Sequence, residues 1–326
     1  YREIEAAKRV IKNGWLAQGQ EVRSFEDELC DFFGLPKEHV VLVSSGSAAL
    51  FLALWVLNLK DSNVGIPVYS CSSLRNATEM LGAKPIYFDC CDESPNLDMD
   101  TVQTSDMDAL IATSMFGLPI DIKNNGFKVI EDISQAFGAE ENGIPIGLRG
   151  ILGVCSFYAT KLITSGGQGG AIISKDKNLI DAIRDYREFD NRRDNNIRFN
   201  FQMSDLNAAV GRVQLKQFEK FKNRRADIFN MYKDYGFNMM DLKSEKYVPI
   251  RYRAILNTNQ PNKIINELNK AGISAIVPIE KDELLSDPIL FKNASLLTSK
   301  TVSLPIYPNL EHSIVKKIGN CVSENI

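Results

Sequence analysis

Short apolar runs alternate with helix-like stretches from about residue 21 to residue 235. The runs are rich in β-branched residues, as buried strands are, and they occupy residues 40–43, 63–68, 84–88, 109–113, 128–132, 153–157 and 170–174. Helix-like stretches such as 48–57 and 73–81 separate several of them. This alternation predicts an α/β fold in which a mostly parallel central sheet is covered by helices on both faces.

A longer helical pattern follows over residues 204–235, and Ser204 is a suitable cap for its first turn. Its apolar positions approximate one stripe, formed by Leu206, Val210, Val213 and Phe218. The spacing predicts one long connecting helix.

The pattern becomes mixed after residue 235. A strand-like segment at 247–256 precedes a helical segment at 262–273. We therefore predict two domains. A large domain over residues 1–235 includes the N-terminal helix and the connecting helix, and a small α+β domain covers residues 236–326.

Composition excludes several classes of function. The formal charge of −3 on 326 residues provides no basic field for nucleic acid. The most apolar run, Ala48 to Leu57, has ten residues, whereas a membrane span needs roughly 20. The charged, amphipathic N-terminal stretch is unlike a secretion signal. We therefore expect a cytoplasmic protein that does not insert into membranes.

The cysteines and histidines also limit the chemistry. Six cysteines have no paired spacing, and His39 and His312 are far from each other in sequence. This pattern favours reduced thiols and predicts neither a metal site nor a disulfide framework. Two histidines also leave little material for a Ser-His-Asp or Cys-His mechanism.

Three segments contain residues suited to catalysis or binding. In the first, S-S-G-S-A-A-L at 44–50, a strand opens directly into a helix. Free backbone N–H groups at such a start can bind an anion, and Gly46 and Ser47 would allow close approach and add a hydroxyl. A capped helix without any ligand is the other reading.

The second segment, E-D-I-S-Q-A-F-G-A at 131–139, places Asp132 where a parallel strand should end. A carboxylate there could keep a pyridine nitrogen protonated, and Gln135 could reach an oxygen on the same ring. The alternative is that Asp132 caps a following helix.

In the third segment, residues 155–173, a strand leads to Lys161 and returns through a glycine-rich turn to another strand. Lys161 could form an imine with an aldehyde, or it could be an ordinary solvated lysine. The glycines lack the spacing of a dinucleotide fingerprint. Together the three segments provide a phosphate cradle, an acid for a ring nitrogen and an amine for an aldehyde, which are the three handles of pyridoxal phosphate.

The sequence resembles the DegT/DnrJ/EryC1/StrS aminotransferases, which have the aspartate-aminotransferase (type I) fold. The matching segments span nearly the whole chain, at 13–29, 44–50, 81–89, 115–122, 131–139, 156–161, 203–215 and 303–310. The resemblance implies that Lys161 carries pyridoxal 5'-phosphate as a Schiff base and that Asp132 pairs with the pyridine nitrogen. It places Gln135 beside the ring hydroxyl and Gly46, Ser47 and Ser156 on the phosphate.

The resemblance also implies a homodimer with shared active sites, and three positions depart from the family pattern. Gln202 stands where an asparagine usually reaches the phosphate of the neighbouring subunit. Cys71 stands where an aromatic residue usually stacks on the ring, although Cys71 could instead be a packed core thiol. Gln168 replaces a glutamate in the glycine-rich turn.

The implied reaction is transfer of an amino group, from glutamate, to a nucleotide-linked keto-sugar for surface polysaccharide or related amino-sugar biosynthesis. Sugar dehydratases of the same family replace the lysine by histidine, so Lys161 argues against that activity. The short second domain leaves open a smaller, non-nucleotide ketone. A pyridoxal-phosphate-binding regulator without turnover is a third possibility, because fold does not determine activity.

Overall fold

A computed structural model describes residues 2–92, 94–102, 107–123 and 126–326 of the chain. The α-helices within these ranges are α1 (Arg2–Asn13), α2 (Gln20–Phe33), α3 (Gly46–Val56), α4 (Ser73–Leu81), α5 (Lys177–Arg187), α6 (Asp205–Lys216), α7 (Phe218–Asp234), α8 (Pro261–Lys270), α9 (Lys292–Lys300) and α10 (His312–Ser323). Short 3₁₀ turns lie at Met115–Gly117, Lys281–Glu283 and Pro288–Leu290. No helix in these ranges is long and apolar enough to cross a membrane.

The strands of the described residues form three sheets. Their bounds are β1 (Val40–Val43), β2 (Asn63–Pro67), β3 (Lys84–Phe88), β4 (Ala109–Thr113), β5 (Lys128–Asp132), β6 (Glu140–Glu141), β7 (Ile144–Pro145), β8 (Leu152–Ser156), β9 (Gly170–Ile173), β10 (Tyr247–Val248), β11 (Ala254–Asn257) and β12 (Thr301–Leu304). The main sheet has the order β1-β9-β8-β5-β4-β2-β3, and the two smaller sheets are β10-β6-β7 and β11-β12.

The main sheet confirms the predicted α/β class. The pairs β2–β3, β2–β4, β4–β5 and β5–β8 are parallel, whereas β9 is antiparallel to both β1 and β8. All seven predicted strands of this sheet are present, with bounds that differ from the prediction by one residue at most. The strand β9 runs the other way because the chain returns from β8 directly through a glycine-containing turn, without the crossover helix that a parallel connection needs.

Both faces of the main sheet are covered, as predicted. Alternate residues of β1 enter different cores: Val41 and Val43 pack with α3 and α4 on one face, while Val40 and Leu42 pack with α2 on the other. The helix α3 carries apolar side chains on all sides and is almost completely buried. It begins shortly after the carboxyl end of β1. Because it is packed against the sheet along its length, the position of its first turn is fixed.

The prediction of a single helix over residues 204–235 is wrong. Two helices, α6 and α7, meet at Gln217, whose N–H donates to the carbonyl of Gln214 at 3.0 Å. The expected stripe is divided, because Leu206 and Val213 pack on α1 whereas Phe218 is buried edge-on against the ring of Phe137. The apolar side chains of the predicted stripe therefore pack into two separate cores, and the chain turns between these cores.

A further apolar core lies in the C-terminal part of the chain. Strands β11 and β12 pack there against α8 and α10, and α7 contributes Ile228, Phe229 and Tyr232. The mixture of strands and helices is the α+β arrangement expected for this part. The predicted domain boundary at residue 235 stays a prediction, since α7 contacts this core from before the boundary.

A glycine makes the close contact between the first part of the chain and residues 250–253. The φ angle of Gly117 is +90°, and the Ile250 N–H donates to its carbonyl at 2.9 Å. A Cβ atom on Gly117 would lie 1.6 Å from the carbonyl oxygen of Ile250. Only glycine fits this position without moving one backbone away from the other.

We predict that Gly117→Ala destabilises the protein by about 3 kcal/mol or more, since it adds a backbone clash to a left-handed conformation. Gly143→Ala is the matched control, because Gly143 also has a positive φ (78°) but has nothing within 4 Å of its Cβ position. That change should cost only about 1–2 kcal/mol. Denaturant unfolding measures both, and equal losses would contradict the assigned role of Gly117.

Candidate active site

A cavity of about 320 Å³ lies at the carboxyl edge of the main sheet. Its size falls within the range of roughly 300–1,000 Å³ that is usual for ligand pockets. The ends of β4, β5 and β8 reach it, as does the first turn of α3. In open α/β sheets ligands bind at this edge, where strand ends and helix N-termini converge.

Seven of the eight predicted site residues line this cavity, namely Gly46, Ser47, Cys71, Asp132, Gln135, Ser156 and Lys161. The eighth, Gln202, does not line it. Its side-chain amide donates to a carboxylate oxygen of Glu188 at 3.3 Å, outside the cavity of the same chain. The segment that carries Gln202 nevertheless lies close to the strand β1, because the Ser44 N–H donates to the carbonyl of Phe201 at 2.8 Å.

The first turn of α3 is both capped and open to an anion. Ser45 is the N-cap, and its hydroxyl accepts from the Ala48 N–H at 3.1 Å. The N–H groups of Gly46 and Ser47 lie in the first turn, where an α-helix provides no internal acceptors. The cap formed by Ser45 therefore does not prevent anion binding at this turn, and that binding stays a prediction.

Small residues bring two more elements close to this turn. A Cβ atom on Gly46 would lie 2.8 Å from the Cβ of Ser156, and one on Gly170 would lie 2.4 Å from the carbonyl oxygen of Ser45. Glycine at both positions lets β8 and β9 approach the helix start. Hydroxyl and N–H donors consequently surround one small space, which is a suitable cradle for a phosphate.

Asp132 ends β5 and is 8% exposed. One of its oxygens accepts from the Ser134 N–H at 2.9 Å. Burial raises the pKa of Asp132 above its ordinary value, and the hydrogen bonds from Ser134 and the charge of Lys161 oppose that rise. The expected alternative, in which Asp132 caps a helix, is wrong because turns follow it over residues 134–138.

The neighbouring carboxylate shows how a purely structural acid is satisfied. Glu131 is 1% exposed and lies 2.7 Å from the guanidinium of Arg149, and it accepts from the N–H groups of Gly147 and Gly150 at 3.2 and 2.9 Å. Asp132 has no ion pair of this kind among the described residues. A buried carboxylate so incompletely paired is a candidate for binding a protonated group.

Lys161 lies in the connection between β8 and β9. Its N–H donates to the carbonyl of Tyr158 at 3.0 Å, and the loop is closed where the Ala159 N–H donates to Gly167 at 3.1 Å. Its side chain is half-buried, and its Nζ lies 5.4 Å from the centroid of the Tyr252 ring. This lysine therefore faces the cavity beside an aromatic ring and is not an ordinary surface lysine.

One amide group and one hydroxyl group complete the polar lining near Asp132. Gln135 accepts from the Phe116 N–H at 2.9 Å through Oε1, so its NH₂ group stays available as a donor. Thr113 is paired with Asp132 in the β4–β5 register, and its buried hydroxyl has no partner among the described residues. These groups fit a ligand that combines a ring nitrogen and oxygen with an aldehyde and a phosphate.

Cys71 is exposed at the edge of the cavity. The alternative of a packed core thiol is therefore wrong. Whether its sulfur takes the place of a stacking aromatic stays a prediction. Gln168, the other departure from the family pattern, also lines the cavity.

Thr113 and Tyr252 were missed by the sequence analysis. Thr113 could have been found, because it ends a predicted strand next to the one that ends in Asp132. Tyr252 could not, because it reaches Lys161 from about ninety positions farther along the chain. No local pattern at 251–253 indicates that contact.

Comparisons with known proteins agree with this geometry. The sequence model of the DegT/DnrJ/EryC1/StrS aminotransferase family matches residues 1–323. GDP-perosamine synthase from Escherichia coli O157:H7 is 27% identical over 356 residues, which cover 99% of this chain and 95% of that protein.

Two solved structures share the fold. A DegT DnrJ EryC1 StrS aminotransferase from Brucella abortus matches with a TM-score of 0.91 at 22% identity, over 99% of this chain and 95% of that chain. The PLP-form of Spr1654 from Streptococcus pneumoniae matches with a TM-score of 0.89 at 21% identity, over 99% of this chain and 96% of that chain. They confirm the predicted fold class.

We predict that Asp132→Asn raises the melting temperature of the ligand-free protein at pH 7 by about 2 °C. The folded pKa of Asp132 lies above its ordinary value of 3.8. The folded state therefore binds the proton more tightly, and this carboxyl destabilises the fold increasingly as the pH rises above 3.8. The asparagine removes that effect, so the gain should disappear near pH 4.

Glu131→Gln is the matched control at the adjacent position. It breaks the buried ion pair with Arg149, so it should lower the melting temperature at pH 7. Thermal unfolding across pH measures both variants. A loss of stability in Asp132→Asn at neutral pH would contradict the incomplete pairing of Asp132.

Proposed function

This chain belongs to the DegT/DnrJ/EryC1/StrS aminotransferase family, and we propose that it moves an amino group from glutamate to a nucleotide-linked keto-sugar, with pyridoxal 5'-phosphate as cofactor. The observation that carries the proposal is the convergence of Lys161, Asp132 and the first turn of α3 on one cavity. Each of them suits a different part of the cofactor.

The residues that would hold the cofactor follow from the lining. The first turn of α3, with Gly46, Ser47 and Ser156, would bind the phosphate through N–H and hydroxyl donors. Asp132 would bind the protonated ring nitrogen, and the Gln135 amide would donate to a ring oxygen. Lys161 would hold the aldehyde carbon through Nζ. Once bound, the cofactor supplies an electron sink for the carbon that loses or gains a proton.

Asp132 would keep a proton on the ring nitrogen. Burial raises its pKa, and the hydrogen bonds from Ser134 and the charge of Lys161 oppose that rise. A protonated nitrogen at close range favours the carboxylate by roughly 1–3 pKa units. Binding and ionisation of Asp132 would thus reinforce each other.

Lys161 would act as the base and acid for the proton at the reacting carbon when its amine is free. It forms no ion pair with a carboxylate among the described residues, and its Nζ lies 5.4 Å from the centroid of the Tyr252 ring. The loop between β8 and β9 holds its backbone in place, which leaves the side chain as the moving part.

Support for a sugar acceptor comes from the relatives. The match to GDP-perosamine synthase covers 99% of this chain. We propose the same class of acceptor here, a keto-sugar on a nucleotide, used in the synthesis of surface polysaccharide or a related amino-sugar product.

We also propose a homodimer in which Gln202 reaches the site of the partner subunit. In its own chain Gln202 lies outside the cavity, and the adjacent Phe201 accepts from the N–H of Ser44, which lies between β1 and α3. A symmetric pair would then share two equivalent sites.

We predict that the purified protein is yellow and that borohydride reduction attaches a pyridoxyl group to the peptide containing Lys161. With glutamate and nucleotide-linked keto-sugars it should form 2-oxoglutarate, and Lys161→Ala should lose at least about 10³-fold in rate because both the covalent anchor and the base are removed. Peptide mass spectrometry and 2-oxoglutarate assays provide the measurements.

Lys216→Ala is the control for that loss, since Lys216 is 62% exposed and lies on α6, outside the cavity. It should retain cofactor and turnover. A pyridoxyl label on another lysine would overturn the assignment of Lys161. A cofactor-loaded protein that releases no 2-oxoglutarate from glutamate would overturn the proposed donor.

We predict that Gln202→Ala is strongly impaired and that mixing it with Lys161→Ala restores activity, because a mixed dimer contains one site with both residues intact. Random exchange should restore roughly a quarter of wild-type turnover per mixed sample. The assay is turnover after subunit exchange, with each variant alone as the control. Full activity of a monomer at low concentration would refute the shared site.

A further inference from the structure

Arg253 lies near Lys161 of the proposed active site and forms no ion pair with the described residues. Its guanidinium lies 5.8 Å from the centroid of the Tyr252 ring, and the Lys161 Nζ lies 5.4 Å from the same centroid. The two cationic groups are therefore no more than about 11 Å apart. Arg253 is half-buried and donates to the hydroxyl of Ser303 at 3.0 Å, and it pairs with no carboxylate of the described residues.

The nearby Arg251, unlike Arg253, is paired with a carboxylate. It pairs with Asp241 through both Nη atoms, at 2.7 and 3.1 Å, and its guanidinium lies 3.8 Å from the centroid of the Phe229 ring. Two arginines two residues apart thus differ in kind. Arg251 is paired by the fold, whereas Arg253 uses only one of its donors on a side chain of the described residues.

The backbone that presents Arg253 is held firmly. Arg225 is 6% exposed, and its Nη1 lies 3.2 Å from the carbonyl oxygen of Arg251, 3.1 Å from that of Tyr252 and 2.8 Å from that of Ile306. On the other side, the Arg253 N–H donates to the carbonyl of Phe116 at 3.4 Å. Phe116 in turn donates to Gln135, which lines the cavity.

We propose that Arg253 binds a carboxylate of the amino donor, beside the Tyr252 ring that also lies near Lys161. This inference rests on the proposed function, and it assigns the recognition of the donor to one side chain. The planar fork of a guanidinium matches a carboxylate with two parallel hydrogen bonds. Glutamate, the proposed donor, has two carboxylates that could pair with such a group.

The surroundings favour a carboxylate over the diphosphate of a nucleotide-linked sugar. Burial raises the pKa of Tyr69, and Arg253 and Glu283 add smaller, opposite effects, which places a positive and a negative charge within electrostatic range of that ring. A diphosphate carries more negative charge and needs several cations. One arginine with an acid nearby suits a single carboxylate better.

Glutarate, a five-carbon dicarboxylate without an amino group, tests the proposal without requiring turnover. Calorimetry on the cofactor-loaded protein should show that Arg253→Met weakens glutarate binding about 10- to 100-fold, the usual effect of losing a hydrogen bond to a charged group. The KM for glutamate should rise by a similar factor while the KM for the keto-sugar stays unchanged. Arg253→Lys should lie between wild type and Arg253→Met.

Arg251→Met is the matched control, because it removes a guanidinium that the fold already pairs. It should lower the melting temperature and leave glutarate binding unchanged. Unchanged glutarate binding in Arg253→Met would overturn the proposal, as would a rise in the KM for the keto-sugar alone, which would indicate a phosphate contact. If the wild type binds glutarate through Arg253 but never transaminates glutamate, the proposed function fails while this site stands.

Discussion

Hydrogen bonding between β4, β5 and β8 is the constraint on which the site depends. The register pairs Asp132 with Thr113 on one side and with Val154 on the other. Successive residues of a strand face opposite sides of a sheet, so a slip of one residue would exchange Asp132 for Glu131 in the cavity. The ion pair of Glu131 with Arg149 on the other face opposes that slip. The paired carboxylate of Glu131 thus fixes which of the two acids faces the cavity.

The position of Lys161 follows from how the chain leaves the same edge. After β8 the chain does not cross over the sheet but returns as β9, so the loop stays above the carboxyl ends. That return is possible because Gly170 allows β9 to pass the carbonyl of Ser45. The proposed phosphate cradle and the loop that carries Lys161 consequently share one packing contact. A larger residue in place of Gly46 or Gly170 would disturb both the helix start and the loop.

Much of this arrangement could be predicted from the sequence because its signals are local. Strand periodicity located β1 to β5, β8 and β9, and strand ends located Gly46, Asp132 and Ser156. The break at Gln217 could not be predicted, since it arises from competition between two cores that are distant in sequence. Tyr252 and Arg253 were missed for the same reason: the strand-like run that contains them gives no indication of the cavity that they approach.

A buried arginine, Arg225, fixes the backbone that carries Tyr252 and Arg253. Burial lowers the pKa of Arg225 to about 10, and this arginine faces backbone carbonyls rather than a carboxylate. A charge held in this way costs desolvation energy that neutral carbonyls offset only in part. The hydrogen bonds of Arg225 to the carbonyls of Arg251 and Tyr252 hold this segment in place. The contact of Gly117 with Ile250 fixes the same segment from the other side. The position of Tyr252 beside Lys161 is therefore set by two backbone contacts, and the same contacts hold the backbone of the proposed donor-binding residue Arg253.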